Sequence, residues 1–227
     1  MKKSTLTYLP PYMSRFNLFL LIAVITVPGC QQIPRDKETA NFHSREARQQ
    51  TLEKLQHWRV KGKLLFKSPE KKQSVSLNWT QDHSRADLRL TTFMGISVLK
   101  MISDQHSATL EADGKTVTSN NPQRLLARTT GIALPVNELR YWMKGATSQN
   151  NQDQQVQLLD EYNRVSQIRL LDGNFQPWQI DYQQYMTIPL SKQINQQQSV
   201  QLPQKIRLSG NDMQITITIK DWELIND

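Results

Sequence analysis

Only one cysteine, Cys30, occurs in the 227 residues, so no disulfide can close within the chain. After residue 30 no apolar run approaches the roughly 18 residues that a membrane-crossing helix needs. The chain lacks a GxSxG elbow, a P-loop and a GxGxxG turn. Its four histidines, His43, His57, His83 and His106, are scattered, with no second ligand at metal spacing. The acids fall mostly in turn-like stretches, such as Asp82, Asp104, Asp113, Asp160 and Asp172, and no catalytic pair is implied. These absences argue against an enzyme, and no metal or cofactor is expected.

Acidic residues are also missing before Cys30, where Lys2, Lys3 and Arg15 stand alone. Without those three, the basic excess of +8 shrinks to +5, 25 cations against 20 anions from Cys30 onward. That excess suits anionic surfaces of membrane or protein. Arg59, Lys61 and Lys63 alternate with apolar neighbours, which marks a solvated strand face rather than a nucleic-acid surface.

What is present begins with an export signal. A basic, polar start leads into Phe16 to Val27, an apolar run of twelve residues. Pro28-Gly29-Cys30 follows, so residues 1–29 read as a secretory signal rather than a transmembrane helix. Met13 offers an alternative start with a shorter signal. Val27-Pro28-Gly29-Cys30 resembles the bacterial lipoprotein processing site, which implies acylation of Cys30. Gln31, rather than Asp, at the next position resembles the lipoproteins released to the outer membrane. Residues 30–43 have few apolar side chains and read as a tether to a domain at 44–227.

Within that domain Ser44 to His57 predicts a helix, with Ser44 as N-cap and Ala47, Leu52 and Leu55 on one side. A strand opens at Trp58. Val75, Leu77 and Trp79 alternate with polar residues in the next one. Strands at 107–112 and 116–118 flank the Asp113-Gly114 turn. Asn121-Pro122 starts a short helix that Gly131 ends, and Val136 to Lys144 forms another, closed by Gly145. Leu139, Trp142 and Met143 share one face of it. Strands resume at 156–159, 165–171 and 177–185, with a turn at Asp172-Gly173-Asn174. A polar connection runs from Ile188 to Gln201, and strands at 205–209 and 213–222 close the chain, the last alternating Met213, Ile215, Ile217 and Ile219 with polar residues. About ten or eleven strands and three short helices make a mainly β (α+β) chain. Such a pattern suits a large antiparallel sheet curled around a core, with helices over the opening.

The stretch Leu88 to Met101 stands apart. It reads as a β-hairpin whose tip carries Phe93, Met94 and Ile96 around Gly95. Hairpin tips are normally polar because they lie in water, and contiguous exposed apolar groups usually contact something. The tip either folds back on the core or serves as an apolar finger for lipid or a partner's apolar surface.

Several blocks resemble the LolB family of outer-membrane lipoprotein receptors. They are Trp58–Gly62, Leu77-Asn78-Trp79, the Leu90–Ser97 tip, Thr130 to Gly145 and a late Asp221-Trp222. The block from 130 to 145 is the most specific, with its Thr-Gly, Pro135 before Val136-Asn137, Leu139-Arg140-Tyr141-Trp142 and final Gly. The resemblance implies an unclosed antiparallel barrel of about 11 strands, lidded by short helices over an apolar cavity. It implies a receptor that takes lipoproteins from a LolA-type periplasmic carrier and releases them into the inner leaflet of the outer membrane. Carrier, acylated cargo and membrane lipid would be the partners of a monomer. The family's hairpin leucine corresponds to Met94 here, preceded by Phe93, and both are apolar. For the acyl-chain cavity the expected residues are Leu64, Phe66, Leu77, Trp79, Leu88, Leu90, Leu110, Trp142 and Met143; each is equally readable as plain core. The alternatives are an envelope lipoprotein that binds phospholipid or lipopolysaccharide, and a structural lipoprotein with a filled core.

Overall fold

A computed structural model describes residues 44–132, 134–148, 155–170, 178–190, 199–210 and 212–225. The signal at 1–29, the Cys30 site, the tether at 30–43 and the turn at Asp172-Gly173-Asn174 lie outside the described residues.

Helix α1 (Arg45–Lys54) starts where Ser44 accepts a hydrogen bond from the Ala47 amide at 3.1 Å. It buries Arg48 and Leu52, not the expected Ala47. Arg48 reaches across to donate to the Gln201 carbonyl at 2.8 Å, and its guanidinium lies over the Tyr185 ring, 5.6 Å from its centre. Six strands follow: β1 (His57–Lys67), β2 (Lys72–Asp82), β3 (Arg85–Thr91), β4 (Ser97–Ser103), β5 (Ala108–Ala112) and β6 (Lys115–Ser119). Asp113 and Gly114 both take positive φ, 51° and 71°, in the tight turn between β5 and β6.

Helix α2 (Pro122–Thr130) is capped by Asn121, which accepts from the Arg124 amide at 2.9 Å, and it ends at left-handed Gly131. Helix α3 (Val136–Met143) ends in a Schellman motif. Gly145 N–H donates to the Trp142 carbonyl and Ala146 N–H to the Tyr141 carbonyl, both at 3.0 Å. Strands β7 (Gln155–Leu159), β8 (Val165–Leu170), β9 (Gln179–Pro189), β10 (Ser199–Gly210) and β11 (Met213–Leu224) complete the chain.

Strands β9 and β10 are longer than expected, because part of the Gln-rich stretch from 188 to 201 is paired strand. Ile188, Val200 and Leu202 face inward there, and glutamines on the other positions hide that sparse alternation from a composition reading.

All eleven strands form one antiparallel sheet in the order β6-β5-β4-β3-β2-β1-β11-β10-β9-β8-β7. Its edge strands, β6 and β7, do not pair with each other, so the barrel is unclosed. The chain passes from one edge to the other through α2 and α3, which explains why two short helices interrupt the strands.

Buried side chains from both halves of the sheet join in one core. Trp58 packs against Trp79 and Trp222 at ring distances of 5.4 and 5.3 Å. Trp222 donates to the Pro203 carbonyl at 2.9 Å, and Pro203 sits where the β9–β10 register shifts. Gly62 marks the bulge between β1 and β11; a Cβ there would lie 2.3 Å from the Thr218 carbonyl oxygen.

Candidate functional site

The antiparallel register sends the β1–β2, β3–β4, β5–β6 and β10–β11 turns to the same end of the sheet. At that end the core is not filled. A cavity of about 370 Å³ lies between the sheet and the helices. Leu64, Phe66, Leu77, Trp79, Leu88 and Leu90 all line it. Leu64, Phe66, Leu88 and Leu90 remain half-buried although they face inward, as expected of side chains facing an unfilled space. Leu110, Trp142 and Met143 do not line the cavity; they are 0%, 1% and 2% exposed and belong to the packed interior.

Helix α3 explains that division. Its apolar face presents Leu139 to the cavity. One turn on, Trp142 turns away from the cavity; its indole N–H donates to Gln155 at 3.4 Å and its carbonyl accepts from Tyr182 at 2.8 Å. Helical spacing showed the face but not where the cavity stops along it.

Sequence reasoning missed Leu126, Ile132 and Leu134, which bring the lid side to the cavity, and Ile215 and Ile217, which line it from β11. The alternation in β11 marked those two as inward-facing. No local signal separates inward toward a space from inward toward a packed core. Lys71, Gln73 and Asp113 add a polar rim at the turn end.

The β3–β4 hairpin projects at the same end. Its tip side chains are among the most exposed large hydrophobics described: Phe93 is 90% exposed, Met94 67% and Ile96 59%. The tip does not fold back on the core. Three of its backbone N–H groups are bonded within the loop. Thr92 N–H donates to the Ile96 carbonyl at 2.8 Å, Gly95 N–H to the Thr92 carbonyl at 3.0 Å, and Ile96 N–H to the Thr92 hydroxyl at 3.1 Å. Gly95 permits this closure with φ of 83°. Backbone groups bonded to each other lose less on leaving water than free ones would.

The helices are anchored at the opposite end. Lys144 extends its ammonium to the Leu52 and Leu55 carbonyls of α1 at 2.6 and 2.9 Å. Burial lowers its pKa to about 8, with Arg140 adding repulsion. Glu138 accepts from Ser148 at 2.9 Å and from Gln155 at 3.1 Å, which ties α3 to the first residue of β7.

One expectation needs correction. His57 and His83 are not scattered: the register pairs His57 with Asp82, and the following turn brings His83 beside both. A separation of 26 residues conceals a contact that antiparallel pairing creates.

No helix among the described residues is long and apolar enough to cross a membrane. The sequence model of the family described as outer membrane lipoprotein LolB matches residues 56–222. A protein named outer-membrane lipoprotein LolB from Pseudoalteromonas translucida is 31% identical over 212 residues, spanning 93% of this chain and 96% of that protein. One of the same name from Vibrio cholerae is 29% identical over 206 residues, spanning 90% and 94%. Among solved structures, a LolA superfamily protein from Nitrosomonas europaea superposes with a TM-score of 0.50 over 81% of this chain and 94% of its own, at 8% identity. A DUF1329 family protein from Desulfovibrio piger gives 0.53 over 79% and 90%, at 7% identity. At such identities the likeness concerns the fold, an open antiparallel sheet of LolA type.

Proposed function

The chain belongs to the outer membrane lipoprotein LolB family, and on that premise we propose that it is a lipoprotein receptor anchored to the outer membrane through acylated Cys30. It accepts acylated lipoproteins from a LolA-type periplasmic carrier and releases them into the inner leaflet. The apolar cavity at the tip end of the sheet carries this reading. A structural lipoprotein with a filled core has no need of one.

The physics requires such a cavity. Three acyl chains hold roughly 45 methylenes, so exposing them to water costs about 30–40 kcal/mol at ~0.8 kcal/mol each. Cargo therefore passes from cavity to cavity and then to the bilayer. Without nucleotide energy, each acceptor must hold the chains more tightly than its donor. The protein carries out no bond chemistry in this role. Phe93, Met94, Gly95 and Ile96 meet lipid during release, beside the cavity that holds the chains.

Photo-crosslinking tests the cavity directly. A photoreactive residue in place of Leu88, inside the cavity, should join to a triacylated lipoprotein delivered by its carrier. The same residue in place of Lys61, on the outer face, should not. Crosslinks from position 88 to phospholipid alone would favour the rival amphiphile-binding reading, and no crosslink to either would remove the cavity from the account.

A further inference from the structure

Away from the cavity, at the opposite end of the sheet, three side chains converge. His57 opens β1, Asp82 closes β2 directly across from it, and His83 begins the β2–β3 turn. Nε2 of His57 lies 2.5 Å from Nδ1 of His83. Both nitrogens face one oxygen, Oδ1 of Asp82, at 2.7 and 3.0 Å. We propose that His57, Asp82 and His83 bind a divalent transition-metal ion of the zinc class.

The donor set selects the ion. Two imidazole nitrogens and one carboxylate oxygen suit Zn²⁺, Cu²⁺ or Ni²⁺, whereas Mg²⁺ and Ca²⁺ prefer oxygen throughout. In a tetrahedral site with metal–ligand distances of about 2.0–2.2 Å, neighbouring donors stand about 3.3 Å apart. The triangle here, at 2.5, 2.7 and 3.0 Å, is tighter by about 0.3–0.8 Å. Rotation of the exposed His83 and Asp82 side chains opens it that far without moving a strand.

The backbone beneath is fixed. His83 N–H donates to the Gln56 carbonyl at 3.0 Å, and the His83 carbonyl accepts from Gln81 at 2.8 Å. The His57 carbonyl accepts from the Ile225 amide at 3.1 Å. Held residues, rather than free loops, set the donor spacing. Arg85, and Arg140 whose guanidinium donates to the His83 carbonyl at 3.5 Å, are nearby cations that oppose metal entry.

Three protein donors leave a fourth position for water or an outside ligand. His83 also lines a polar cleft of about 510 Å³ with Arg140 and Tyr141 of α3. A bound ion therefore joins the start of β1 to the turn beside that cleft.

The test is calorimetric titration of Zn²⁺ into the detergent-solubilised full chain, freed of any affinity tag. We expect one site per chain of micromolar affinity or tighter at neutral pH. Acidification to the point where imidazoles are protonated should abolish it. His57→Gln should weaken binding at least tenfold. His83→Asn should do the same while keeping the turn, because asparagine tolerates the φ of 49° at that position. His106→Gln and His43→Gln should change nothing. A thermal midpoint raised by Zn²⁺ in the parent but not in His57→Gln gives an independent readout of the same site. Absence of binding up to millimolar Zn²⁺ overturns the proposal, and so does binding that survives both cluster variants or depends on His106 or His43.

Discussion

At the scale of the residue, two glycines hold positions no other side chain fills. A Cβ on Gly62 would meet the Thr218 carbonyl oxygen at 2.3 Å, so Gly62→Ala must push β11 away from β1. We expect a loss of about 1–3 kcal/mol, read as a lower urea midpoint at unchanged slope. Gly145 is constrained twice, by its φ of 73° and by the Tyr185 hydroxyl 2.8 Å from where a Cβ would stand. Both glycines belong to blocks that the sequence singles out, yet their reason is tertiary: the obstructing atoms lie on β11 and β9. Lys144 gives a pH signature. Its pKa falls from 10.5 to about 8 on folding, so the unfolded chain holds the proton more tightly. Its contribution is least favourable below pH 8 and improves as pH rises from about 8 to 10.5. The gain in stability between pH 7.5 and 10 should be smaller in Lys144→Met than in the parent, measured by urea unfolding at both values.

At the scale of the element, α2 is a short helix of the lid side. It has nine residues, two of them buried, and depends on the Asn121 cap. Asn121→Ala should cost the helix about 1 kcal/mol. Amide exchange should then speed up in α2 and stay unchanged in β1 and β2. A cavity of about 370 Å³ matches one small ligand rather than three acyl chains, so under the proposed receptor role this side would have to move outward to load the cargo. Much of this architecture is legible in the sequence. The Asp113-Gly114 hairpin, the Asn121 and Gly131 helix limits and the β11 alternation all follow from local rules. The cavity is not: Leu90 falls in an expected strand and Leu202 just after a stretch that reads as a polar connection, and neither pattern tells open space from packed core. Only assembly shows Leu90 beside open space and Leu202 fully enclosed. Leu202→Ala should therefore cost about 2–5 kcal/mol and Leu90→Ala distinctly less, compared by denaturant midpoints.

At the scale of the whole molecule, cavity and finger share one end of the sheet, and Trp79 joins the cavity wall to the packed Trp58, which in turn meets Trp222. Under the proposed receptor role, the excess of +5 from Cys30 onward would favour encounter with an acidic carrier, so added salt should slow capture more than release. The most direct measurement follows a radiolabelled lipoprotein from its loaded carrier, through this protein, into liposomes, for the parent and for Met94→Glu. Capture and release are scored separately. A carboxylate at the tip opposes entry into lipid but leaves the cavity intact, so the account predicts normal capture with release reduced at least tenfold. Equal release by the two proteins, or no capture by a folded parent, would contradict it.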